Sequence, residues 1–125
     1  MTDQEFLHAF ESGRIPPAEF HHRDHLRLAW VQVRKLGAEQ AAGAVAEGIG
    51  RFAGAHGQHR LYHETLTRFW VRIVAHCSQP TFEATLERHP MLLSKDLPLR
   101  HWSRDALFSD AARAAWLEPD LLPLP

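Results

Sequence analysis

The chain has 125 residues, of which 45% are hydrophobic and 23% charged, the composition of an ordinary globular protein. Fourteen basic residues against fifteen acidic ones leave a formal net charge of -1, and no basic run interrupts that balance, which argues against nucleic acid as a partner. Cys77 is the single cysteine, so an intrachain disulfide and a cysteine-based zinc site are both excluded. No apolar stretch approaches the length of a membrane span. The opening Met1-Thr2-Asp3-Gln4-Glu5 has neither the basic nor the apolar part of a signal peptide. The expectation is one cytoplasmic helical domain over residues 1–125, with no membrane partner.

Helix one is expected from about Thr2 to Ser12. Thr2 and Glu5 make a capping-box pattern, Phe6, Leu7 and Phe10 a short apolar stripe, and Gly13 a stop. Ile15-Pro16-Pro17 reads as a rigid connector. Helix two runs from about His22 to Leu36, with Leu26, Ala29, Trp30 and Val33 at helical spacing and Gly37 at its end. Helix three covers about Ala38 to Ala55 along Ala42, Val45, Ile49 and Phe52. Its glycines, Gly43, Gly48, Gly50 and Gly54, each weaken it by up to ~1 kcal/mol relative to alanine, unless they admit a close neighbour.

Helix four, about Tyr62 to His76, has the clearest stripe: Leu66, Phe69, Trp70, Ile73, Val74 and Cys77. Thr81 caps a short fifth helix through about Arg88. Leu92-Leu93 and Leu97-Pro98-Leu99 read as an irregular apolar segment, and Ser109 to Trp116 as a short helix. Glu118 to Pro125 is an extended tail, rich enough in leucine to pack on the rest. The fold class is therefore all-α: an up-and-down bundle of four to six helices with an extended C-terminal tail.

Histidine is the compositional outlier, with ten copies where a chain of this length would hold about three. In an up-and-down bundle, helices two and four run parallel and start at the same end. His22 and His25 lie in the first turn of helix two and His63 in the first turn of helix four, each continuing a core stripe. Helix N-termini favour neutral imidazole, the form that binds metal. The pattern predicts a divalent transition metal (zinc, iron, manganese or nickel) held by His22, His25, His63 and Glu64. Glu64 is either the fourth ligand, a catalytic general base on a bound water, or an i,i+4 partner of Arg68. Tyr62, Thr67, Trp70 and Trp102 are the candidate pocket residues around a small-molecule substrate.

Rival readings follow from the same residues. A single first-turn histidine most often caps its helix or fills its rim; it is the three together that suggest a shared site. His59 with His63 is an alternative ligand pair. His63-Glu64-Thr65-Leu66-Thr67 starts like the zincin helix HExxH, but Thr67 stands where the second histidine is required, which rejects a zincin protease. Asp24-His25 reverses the His-Asp order of HD phosphohydrolases. The competing function is a non-catalytic module that binds a small ligand or a partner.

Three segments carry a resemblance: Phe20 to Leu26 as F-x-H-x-x-H-L, Tyr62 to Thr67 as Y-H-E-T-[IL]-T, and Glu118 to Leu124 as E-P-D-L-x-P-L. Together they resemble a small bacterial family of uncharacterised helical proteins. The resemblance implies a helical fold and groups His22, rather than His21, with His25, His63 and Glu64. It implies no activity. The expected site is also similar to that of DinB-like helical bundles, where three histidines from different helices hold a divalent metal, although the spacing differs.

Overall fold

Local capping and glycine stops divide the chain into seven α-helices and four short 3-10 turns, with no strand. The computed structural model describes residues 1–125. The α-helices are α1 (Asp3–Glu11), α2 (His22–Leu36), α3 (Ala38–Ala55), α4 (Glu64–Cys77), α5 (Phe82–Arg88), α6 (Arg104–Leu107) and α7 (Asp110–Ala114). No helix is long and apolar enough to cross a membrane.

The capping box at α1 forms as expected. Thr2 Oγ1 accepts from the Glu5 N–H at 3.1 Å, and Glu5 Oε1 accepts from the Thr2 N–H at 2.9 Å. Gly37 separates α2 from α3 at φ +84°, a backbone region that side chains with a Cβ avoid. Only one glycine of α3 admits a close neighbour. A Cβ on Gly48 would stand 3.1 Å from Phe10 Cε2, whereas Gly43, Gly50 and Gly54 have nothing within 4 Å.

Helix α6 is absent from the sequence reading, because a four-residue helix is too short to show a period. Its signal is a serine cap: Ser103 Oγ accepts from the Ala106 N–H at 3.2 Å. Ser109 repeats the device for α7, accepting from the Ala112 N–H at 3.2 Å.

The long helices α2, α3 and α4 all pack on one another. Leu26, Ala29 and Trp30 of α2 meet Val45 and Ile49 of α3 and Phe69, Ile73 and Val74 of α4 in one buried cluster. Arg27 ties α1 to α2: it bonds Asp3 Oδ1 at 3.0 Å, and its guanidinium lies over the Phe6 ring at 4.7 Å.

The C-terminal third completes the core with Leu92, Leu97, Trp102 and Leu107. Trp102 is a correction to the sequence reading. It is 0% exposed, edge-on to Phe69 and Trp116, with Nε1–H donating to the Leu117 carbonyl at 3.0 Å. It is a core residue and does not line the cavity that holds the other candidate pocket residues.

The tail packs on the core in part, as its leucines suggested: Leu124 lies against the buried cluster, as does Leu117 just before the tail, while Leu121 and Leu122 are each 56% exposed. Polar bonds add to this anchorage. Buried Thr65 Oγ1 donates to the Ala115 carbonyl at 2.9 Å and accepts from the Leu117 N–H at 3.1 Å. Asp120 accepts from the Ser103 N–H at 2.8 Å and from its hydroxyl at 2.7 Å.

Candidate functional site

A cavity of about 510 Å³ opens where α2 and α4 begin and α3 ends. His22 and His25 of α2, Phe52 and Ala53 of α3, and Leu66 and Trp70 of α4 all face it. Since the start of α2, the end of α3 and the start of α4 share one cavity, α2 and α4 start together and α3 runs against them. The parallel arrangement expected from the histidine positions is present.

Of the residues singled out from sequence, His22, His25, His63, Tyr62, Thr67 and Trp70 line the cavity. They do not play equal roles there. The ring of His22 stands 4.5 Å from Trp70, edge-on, and its Nε2–H donates to the Leu92 carbonyl at 2.8 Å. Leu92 lies in the 3-10 turn Pro90–Leu93, whose last carbonyls have no partner within the turn. With its proton fixed on Nε2, neutral His22 presents an Nδ1 lone pair. Burial lowers the His22 pKa, and the Leu92 bond opposes this in part.

His25 has no hydrogen-bond partner in the protein among the groups that shift its titration. Its ring packs at 4.4 Å from Phe20. Burial first, then neighbouring His22, push its pKa from 6.5 down to about 4, against a small pull from Asp24. It is therefore a neutral imidazole at pH 7, with one N–H and one lone pair available to whatever enters the cavity.

His63 behaves differently. It is the N-cap of α4, one residue outside the helix that the sequence places it in. Its Nδ1 accepts from the Leu66 N–H at 3.1 Å, and its Nε2–H donates to the Leu107 carbonyl at 2.6 Å. Both nitrogens are occupied, so no lone pair faces the cavity. Burial lowers its pKa, and the Leu107 bond opposes this.

Glu64 is also engaged on both oxygens. Tyr62 donates its hydroxyl to Oε1, and Arg68 Nε donates to Oε2 at 2.9 Å. Of the three roles read from sequence, the i,i+4 partnership with Arg68 is the one formed. Burial raises the Glu64 pKa, but the Tyr62 and Arg68 bonds outweigh it and the net shift is downward. Burial, then Glu64, raises the Tyr62 pKa above the ordinary phenol range. Tyr62 stays a neutral donor and Glu64 an anion.

The expected ligand set is therefore not assembled. No three histidine, cysteine, aspartate or glutamate side chains converge as a metal ion requires. For His63 to serve as a ligand it would have to give up a cap bond or the Leu107 bond. His59 is exposed in the turn His59–Leu61 and does not line the cavity, so the alternative pair is not formed either. His21 stands at the mouth with a side chain 73% exposed.

The cavity residues that escaped the sequence reading as site residues include Phe20, Phe52 and Lys95. Phe20 precedes the paired histidines and Phe52 belongs to the α3 stripe, so both carried a signal. Lys95 lies far along the chain in an irregular segment, and nothing local marks it. No known protein-family model, curated protein or solved structure matches the chain.

Proposed function

We propose that this protein is a non-catalytic module that binds a small, largely apolar molecule in the cavity between α2, α3 and α4. The observation that carries the reading is the cavity itself: about 510 Å³, walled by aromatic and aliphatic side chains. Pockets for small molecules typically measure ~300–1,000 Å³ and combine apolar walls with a few orienting polar groups. His22 Nδ1 and the His25 ring supply those groups, and both are free of protein partners. His63 and Glu64 instead spend their bonds on holding α4 and α6 in place.

The test uses neutral aromatic probes, benzyl alcohol and indole, titrated into isotope-labelled protein by NMR. Amide shifts are expected around His25, Phe52 and Trp70. Ala53→Phe, which fills the cavity from α3, is expected to abolish them while leaving the far-UV spectrum unchanged. No shift at millimolar probe, or shifts that survive in Ala53→Phe, would overturn the reading.

A second reading has one observation in its favour. His22 Nδ1 and His25 lie one turn apart with free lone pairs, and a divalent ion is drawn to such a pair. Zinc added alone would then shift the ring signals of His22 and His25 and leave the hydrogen bonds of His63 in place; unchanged His22 and His25 signals would reject this reading.

A further inference from the structure

The cavity also has a charge character, and this deepens the small-molecule reading, on which it rests. No aspartate or glutamate lines the cavity, while Lys95 and four imidazoles do. Asp24, Glu64 and Asp96 each adjoin a lining residue in sequence but lie outside the lining. Asp24 accepts from the His21 N–H at 2.9 Å, Glu64 is held by Tyr62 and Arg68, and Asp96 is exposed beyond the lining. Lys95 makes no ion pair, since the five in the protein involve other residues. It lies close enough to His22 to disfavour its protonation. Helices α4 and α2 begin at this cavity and the eighteen-residue α3 ends at it, so their macrodipoles offset one another in part and Lys95 is the main positive charge there.

We infer that the cavity's ligand is a small organic acid, its carboxylate at the mouth beside Lys95 and the paired histidines, its apolar body between Phe20, Phe52 and Trp70. Carboxylate recognition by a lysine works as a point charge. Selectivity here then comes from the absence of any competing or repelling carboxylate in the lining. The His25 N–H is free to donate to the same group. The lone pair of His22 Nδ1 suits a hydroxyl on the ligand, so a hydroxylated acid would engage Lys95, the His25 N–H and His22 together.

The experiment compares phenylacetate, 2-phenylethanol and phenethylamine, which share a ring and a two-atom arm and differ in charge. Calorimetric or NMR titration at low salt is expected to rank the acid about tenfold tighter than the alcohol, with the amine weakest. Lys95→Gln should remove most of the acid's advantage over the alcohol. Lys95→Glu should place the amine first. Lys95 is exposed and unpaired, so both variants are expected to melt like the parent. Acid and alcohol binding equally well to the parent would overturn the organic-acid inference and leave the pocket standing. An acid preference undiminished in Lys95→Gln would overturn it too. Failure of all three to bind would sink the pocket reading along with it.

Discussion

Acid should destabilise this protein through His25, and the size of the effect follows from its surroundings. The unfolded side chain titrates near 6.5 and the folded one near 4. The folded pKa is depressed, so below pH 6.5 the unfolded chain binds the extra proton. Stability due to neutral burial is therefore complete above that pH and lost as pH falls toward 4. The full gap corresponds to roughly 3 kcal/mol, and the part lost between pH 7 and pH 5 to about 2 kcal/mol. The groups that act on the ring are His22 and Asp24 of its own helix, while the packed face of α3 offers Val45, Ile49 and Phe52, none of which is charged. His25→Leu removes the proton site and keeps an apolar side chain against Phe20. Urea denaturation at pH 7 and pH 5 should show the variant losing about 2 kcal/mol less than the parent over that interval. A residual loss is expected, because His22 and His63 are shifted in the same direction. Equal losses in variant and parent, within about 0.5 kcal/mol, would mean that His25 accepts a proton as readily folded as unfolded. That would refute the neutral-burial argument.

Thr65→Val should cost about 1–3 kcal/mol in thermal or urea denaturation, because it strands the Leu117 N–H and the Ala115 carbonyl. His63→Ala should cost about 2 kcal/mol, and His63→Asn should recover about 1 kcal/mol of it by restoring the cap bond to Leu66. Equal stability of the two His63 variants in urea would deny the capping role. Gly50→Ala, facing open space, should raise stability by about 1 kcal/mol. Gly48→Ala, whose new methyl would meet Phe10 at 3.1 Å, should gain less or lose; matching melting temperatures for the pair would contradict that packing.

Much of the fold was legible because its signals are local. The Thr2–Glu5 box, the glycine at position 37 and the apolar periods of α2 and α3 act over one to four residues. The sequence reading places the boundaries of both helices where the structure has them, His22–Leu36 and Ala38–Ala55. The shared end of α2 and α4 followed from up-and-down topology, and with it the gathering of His22, His25 and His63 around one cavity. What each histidine does there depended on partners far along the chain. Leu107 ends a single-turn helix, so its carbonyl has no helical donor, and it takes the Nε2–H of His63 across 44 residues. Leu92, at the end of another short turn, takes the Nε2–H of His22 across 70 residues. Helical phase placed Trp102 and Lys95 nowhere in particular, because both lie in segments too short to have one. Only the folded chain could send Trp102 into the core, where its N–H finds the Leu117 carbonyl, and leave Lys95 at the cavity mouth, where no carboxylate meets it. Capping and periodicity settle which residues are helical; whether a buried polar atom is spent or free is settled by the unpaired backbone groups that tertiary packing brings beside it.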